Sequence, residues 1–400
     1  MDQEQSVRYY GWIIVGLSFV LMMAAYCLLY CYSVFIPALV RDLGLSRAEV
    51  SAPFSICVVV YSTMSLISGR LTDRFGPRPV IMAAGLLMAS GFAVLSSAQA
   101  SPELYVGYSA LYGLGMSGAY IPMSATLVRW FVAKRGTALA LSNLGGSAAM
   151  AAGPFLGVIL IEAFGWRNGF IAIGALCGGL VSLSAIGFRR DPGDAPDSPS
   201  LAALNREPSF TLPEARRTPA FWIMCGIYLF AWSVMFFPLA HFGGIALDRG
   251  WGPEGGVQIF AIAACGGVGG RLVIGSVSDR IGRKAGLVLL LAIQIASCLL
   301  FAWSAAPILV YAAAILFGIG SGASVALYPA VVGDTFGRKH VGAIAGFAFA
   351  FTCSGGALGP MVGGWIHDQT GSYDQAFLLG AIVTGLAMVC AIVLKRPARH

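Results

Sequence analysis

Gly69-Arg70-Leu71-Thr72-Asp73-Arg74-Phe75-Gly76-Pro77-Arg78 and Gly275-Ser276-Val277-Ser278-Asp279-Arg280-Ile281-Gly282-Arg283-Lys284 read as two copies of one segment, 206 positions apart. The same offset carries Gly153-Pro154 and Gly157 onto Gly359-Pro360 and Gly363. Tyr120-Ile121-Pro122 has a further counterpart in Tyr328-Pro329. Three matches in the same order indicate an internal duplication. Each copy of the first segment follows a long apolar run and carries a basic cluster. A second question is therefore which solvent surrounds the runs.

The composition answers it. Apolar side chains make up 58% of the 400 residues and charged ones 11%, against about 25% charged in soluble domains. That excludes a soluble enzyme, a disordered chain and a nucleic-acid-binding module. A helix needs about 20 apolar residues to cross the hydrocarbon core. On that ruler twelve spans fall near 12–37, 50–70, 79–98, 103–127, 137–162, 167–188, 220–246, 256–277, 285–304, 307–331, 341–366 and 374–394, numbered one to twelve below. The runs are long and lack period-2 alternation, which excludes barrel strands. The first run is followed by another span, so it does not read as a cleaved signal peptide.

Twenty of the 25 Lys and Arg residues lie at the termini or in the even-numbered gaps, and four in the odd-numbered gaps. By the positive-inside rule this places both termini in the cytoplasm and supports an even number of spans. The expected setting is a cell membrane, a bacterial inner membrane in particular. The net charge of +7 is thus a topology signal and a contact with lipid headgroups, with no nucleic-acid partner. Residues 189–219 form the one long hydrophilic stretch, with six prolines and a short surface helix expected around Leu201–Arg206. The expected organisation is a bundle over 1–188, a cytoplasmic linker over 189–219 and a second bundle over 220–400. Nine cysteines all fall in apolar runs without a C-x-x-C pair, and read as buried reduced thiols; neither a metal site nor a cofactor is expected.

The G-x-L-x-D-R-x-G-x-R loop after span two resembles the signature of the major facilitator superfamily, and the loop after span eight resembles a degenerate copy. The resemblance covers the whole chain. It implies an all-α membrane fold of two pseudo-symmetric six-helix bundles around a cavity that opens alternately to each side. In this reading Gly69, Asp73, Arg74, Gly76 and Arg78, with Gly275, Asp279, Arg280, Gly282 and Arg283, form conformational-switch loops. Glycine admits a neighbouring helix, and the Asp pairs with an Arg or caps a helix end. The plainer alternative is that the basic residues only anchor the topology. Gly145-x7-Gly153-Pro154-x2-Gly157 resembles the glycine-proline motif of drug/proton antiporters. Its recurrence in span eleven reads mainly as helix packing and kinking.

Arg271 carries most of the functional reading. It lies four residues before Gly275, about 6 Å further into the membrane, in a span without Asp, Glu or Lys. An intramembrane cation is a candidate functional group by default. It reads as an anchor for a substrate carboxylate, against the alternatives of snorkelling or bonding to backbone carbonyls. No acid lies deep in the membrane, so one positive charge favours a monovalent organic anion. Tyr120, Tyr328 and Asn143 are candidates to complete the substrate shell. Tyr26 and Tyr30, Phe237 and Cys353 are weaker lining candidates; packing is the alternative for each. His241 follows Pro238, where the helix is expected to break, and is the candidate proton carrier or outer gate.

Arg271 four residues before the signature glycine, with Arg8-Tyr9-Tyr10-Gly11-Trp12 opening span one, resembles the bacterial monocarboxylate transporter branch. The resemblance implies that Arg271 holds the substrate carboxylate. Two departures stand out: span one has no Lys, and Gly267 stands where animal members carry an Asp. Functional expectations follow. The chain is a secondary active transporter, not an enzyme, of a small lactate- or pyruvate-like monocarboxylate. It is coupled to protons by symport and works as a monomer. The alternatives are a proton-coupled antiporter or exporter of drugs or metabolites, and an organic-anion exchanger.

Overall fold

The computed structural model describes residues 3–131, 134–190, 208–303 and 306–397; the helix expected around Leu201–Arg206 lies outside them. Among the described residues, ten helical stretches are long and apolar enough to cross a membrane. One of them, Arg135–Ile186, is two spans joined at Gly165, whose φ of +72° turns the chain. A further stretch runs through Ser101–Leu104, Tyr105–Tyr112 and Gly113–Trp130. All twelve expected spans are therefore helical. Without water to satisfy backbone groups, a helix is the way for these runs to cross lipid.

Two spans are not regular. Tyr105–Tyr112 of span four and Gly318–Gly322 of span ten wind as π-helix, with i→i+5 bonding. Composition and periodicity carry no signal for this. Span seven differs from its expectation: Pro219–Asp248 is one helix, and Pro238 sits inside it. Pro37, Pro53, Pro122, Pro154, Pro329 and Pro360 are likewise inside helices. In lipid a frayed helix would strand several more polar groups, so the helix continues past the proline.

Two compact units emerge, and short segments are exchanged in sequence order. Unit 1 holds residues 1–132, 141–209 and 338–350; unit 2 holds 133–140, 210–337 and 351–400. Unit 1 is built around a chain of rings. Tyr32 stacks on Tyr108 at 3.9 Å, Phe35 on Phe170 at 4.1 Å, and Phe92 meets Tyr112 edge-on at 5.5 Å. The core of unit 2 gathers Phe237, Phe242, Phe301, Phe317 and Phe377. Aromatic cores bury large areas with few rotatable bonds.

The duplication is visible in the packing. Gly145 of span five lies on the Phe19 carbonyl of span one, and a side chain at Gly153 would reach the Cys27 carbonyl at 3.0 Å. Gly355 and Gly359 of span eleven lie in the same way on Leu229 and Ser233 of span seven. The glycine-proline motif is therefore a packing surface in both copies. Spans three and nine also match. Ile81, Ala84, Gly85, Met88, Gly91, Phe92 and Leu95 are buried, as are Leu287, Leu290, Leu291, Gln294, Ser297, Cys298 and Phe301 at the same offset. All nine cysteines are free; Cys265 departs from expectation in being exposed, and Cys353 and Cys390 in being half-buried.

Candidate functional site

The two signature segments each end a helix on a left-handed glycine. Gly76 (φ +86°) and Gly282 (φ +94°) close spans two and eight, donating to the Thr72 and Ser278 carbonyls. Only glycine adopts such backbone without strain, which accounts for its position in both copies. One turn earlier stands the aspartate, and its partner is a helix end. Asp73 accepts from the backbone N–H groups of Gly342 (3.2 Å) and Ala343 (2.6 Å), in the first turn of span eleven. Asp279 accepts from Gly136 N (2.9 Å) and Thr137 N (3.0 Å), in the first turn of span five. Residues 136 and 137 lie 206 positions before 342 and 343, so both loops perform the same capping at equivalent positions. The donors are the orphans of the helix start, and the carboxylate faces the positive end of the dipole.

The charges around the two caps differ. Asp73 forms a 2.7 Å ion pair with Arg129, whose side chain is 2% exposed. Arg129 also donates to the carbonyls of Arg338 and Lys339. Asp279 pairs at 3.2 Å with Arg283, one turn along its own chain and 17% exposed. Gly69 packs on the Gly342 carbonyl, and a side chain at Gly275 would come within 2.8 Å of Thr137 Cα. Arg78 donates to the Ile186 carbonyl, and Arg74 lies over the Phe75 ring. Arg280 is exposed. Arg129 was legible in the sequence only as one of many basic residues at a span end. Arg135, which ion-pairs with Asp334 in unit 2, was equally anonymous.

Arg8-Tyr9-Tyr10-Gly11-Trp12 also acquires a physical meaning. Tyr10 donates its hydroxyl to Gly187 O at 2.8 Å and lies under Arg189, whose guanidinium is 4.2 Å from the ring. A side chain at Gly11 would meet Phe131 at 3.2 Å, and Trp12 packs edge-on against the same ring. The motif docks the start of span one on the ends of spans four and six.

Arg271 is half-buried, and its Nε donates to the Gly322 carbonyl at 2.9 Å. Gly322 closes the π-turn of span ten. The turn is held against span eight by absent side chains: Gly318 lies on the Ala263 carbonyl, and a Cβ on Gly322 would be 2.9 Å from Gly267 Cα. A Cβ on Gly267 would itself be 3.4 Å from the Gly318 carbonyl. Gly267 thus faces the backbone of span ten, at a distance that leaves room for a β-carbon. Tyr328, six residues beyond Gly322, is buried with its ring 4.9 Å from Tyr228. Cys353 is half-buried in the same unit.

His241 uses both ring nitrogens. Nε2 lies 3.0 Å from the Pro360 carbonyl, so it carries the hydrogen, and Nδ1 accepts from the Tyr373 hydroxyl at 3.1 Å. His367 stacks on the Tyr373 ring at 4.3 Å and reaches Asp248 at 3.2 Å. Tyr373, His367 and Asp248 come from three elements, and no sequence spacing joins them. Phe237 is 4% exposed, with its ring 5.0 Å from Phe377. In unit 1, Tyr120 is buried with its ring 5.2 Å from Phe349, and Asn143 is 4% exposed. Tyr26 and Tyr30 are half-buried neighbours, 6.2 Å apart, on the face of span one that meets span five.

A duplicated twelve-span bundle with capped loops and one deep arginine defines a membrane transporter. The Major Facilitator Superfamily model matches residues 18–307 and 259–400. The chain belongs to that superfamily. It is 30% identical over 388 residues to human monocarboxylate transporter 11, covering 92% of this chain and 80% of that protein. It is 27% identical to the oxalate:formate antiporter of Oxalobacter formigenes, covering 97% and 92%. Its fold superposes on the crystal structure of the human organic anion transporter MFSD10 with a TM-score of 0.68 at 14% identity, over 99% and 100% of the two chains.

Proposed function

We propose that this transporter moves a small monocarboxylate together with a proton, as a monomer with both chain ends in the cytoplasm. The observation that carries the reading is Arg271, a guanidinium inside an otherwise uncharged span. There it holds a backbone carbonyl through Nε. A carboxylate is the stronger acceptor, and a planar guanidinium binds it by two parallel bonds. The kinship to monocarboxylate transporter 11 supports the substrate class. Tyr120, Tyr328 and Asn143 are the proposed hydroxyl and amide donors, with Tyr26, Tyr30 and Cys353 as lining. His241 is the proposed proton acceptor, because its Nδ1 is the basic nitrogen and accepts from a hydroxyl that can turn. The capping aspartates Asp73 and Asp279 are the proposed switch: releasing either exposes two helix-end donors at once.

The test is uptake of labelled lactate, pyruvate and larger keto acids into proteoliposomes, with and without an inward proton gradient. Arg271→Ala should abolish uptake and Arg271→Lys should retain a small fraction. Undiminished uptake by Arg271→Ala removes the anchor; accumulation indifferent to the gradient removes the coupling. Exchange of organic anions is the second reading, supported by the kinship to the oxalate:formate antiporter. Counterflow that requires internal anion would favour it.

A further inference from the structure

We infer that Gln294 is a positioning residue for Arg271, acting through the π-turn of span ten that lies against both. The inference rests on the reading of Arg271 as the substrate anchor. Gln294 is 1% exposed, and its amide nitrogen has no acceptor among the described residues. A buried amide N–H without a partner destabilises the arrangement that holds it. Packing does not require this amide. The residue at the same place in the first copy is Met88, buried in the same pattern on span three. Arg271 has Ser65 as its counterpart. Spans eight and nine of the second copy thus carry Arg271 and Gln294 where the first has Ser65 and Met88, and the π-turn lies against both.

Contacts place the turn on both residues. On one side Arg271 takes the Gly322 carbonyl. On the other, a Cβ on Gly320 would lie 2.9 Å from Gln294 Cβ and 3.0 Å from its backbone nitrogen. Span ten also relies on side-chain donors nearby: Ser297 of span nine donates to the Ala313 carbonyl, and its own Ser321 to the Phe317 carbonyl. A wide turn leaves carbonyls without a regular helical donor, and it can move along a helix by one residue. When Arg271 leaves Gly322 O for a carboxylate, that carbonyl loses its donor. A one-residue shift returns it to the helix ladder and frees a carbonyl earlier in the turn, beside span nine. The Gln294 amide then takes that carbonyl and stabilises the state in which Arg271 is released.

The experiment uses phenylglyoxal on the full chain in liposomes, with the modification of each arginine followed by peptide mass spectrometry. Gln294→Met, which restores the residue of the first copy, should slow modification of Arg271 by about fivefold, the population shift that one lost hydrogen bond produces. Arg167, remote and exposed, should react at the unchanged rate. The same variant should unfold at a higher temperature, since the stranded amide is gone. Gln294→Leu is the second variant should the methionine fold poorly. An Arg271 rate equal to that of the wild type in a folded variant overturns the inference, whatever the melting temperature. Uptake by Arg271→Ala separately decides the anchor reading, so the two failures are distinguishable.

Discussion

Asp73→Asn tests the ion pair and the cap of the first loop together. The Gly342 and Ala343 donors use different carboxylate oxygens, so an amide keeps one of the two bonds, and the substitution also removes the charge facing Arg129. At 2.7 Å, and with an effective dielectric of 20, the pair interacts by about 6 kcal/mol before desolvation is counted. Desolvation of the two groups offsets much of that in the intact pair. Removing one partner leaves the guanidinium buried at 2% exposure without its counter-charge. The net expectation is a loss of about 3 kcal/mol. The equivalent Asp279→Asn should cost about 1 kcal/mol, because Arg283 lies 3.2 Å away and is better solvated. Thermal unfolding of the purified protein in detergent, followed by tryptophan fluorescence, measures both. Asp73→Asn should lower the midpoint by about 5 °C or more, and by clearly more than Asp279→Asn. Adding Arg129→Met to Asp73→Asn should recover part of the loss, and the double-mutant cycle reports the coupling. A midpoint within 1 °C of wild type, or a larger effect from Asp279→Asn, would refute the reasoning.

Gly359→Val drives a side chain onto the Ser233 carbonyl and should destabilise by about 3 kcal/mol, read as loss of monodisperse protein in gel filtration. Gly179→Ala, with open space at its β-carbon, should match wild type in the same measurement. Gly267→Asp should reduce uptake without adding proton dependence, since its β-carbon would lie 3.4 Å from the Gly318 carbonyl, an acceptor; flux at two pH values checks this. Asp42 is held below its ordinary carboxyl value of 3.8 by the Arg41 guanidinium and the Trp166 N–H. Its contribution to stability is therefore present above that value and lost as pH falls through the lower folded one. The melting difference between wild type and Asp42→Asn should be constant above about pH 5 and shrink below pH 4.

Long apolar runs, a deficit of charge and a repeated loop are local properties of a chain, and they made the twelve spans, the duplication and the superfamily readable without coordinates. Arg271 was readable for the same reason: a lone cation among apolar residues stands out in any window. His241 was visible as a titratable group in an apolar stretch, but its partners were not. Tyr373 and Pro360 lie 132 and 119 positions away along the chain. Pro238 misled because the rule that proline ends helices comes from water, where freed backbone groups find a partner.

Solvent sets the division between the two kinds of knowledge. Lipid demands long apolar helices with satisfied backbones, and that demand is written residue by residue. The sequence by itself therefore determined the membrane class, the number of spans, the duplication and the presence of one deep charge. Only the tertiary structure decided that Asp73 caps span eleven while Asp279 caps span five, and that Arg129 is the buried counter-charge. It alone placed the Arg271 guanidinium on a π-turn whose other face carries an unpaired amide. Those facts depend on which helix ends and glycine faces meet, and apolar helices that look alike to the solvent are distinguished only by how they fit together.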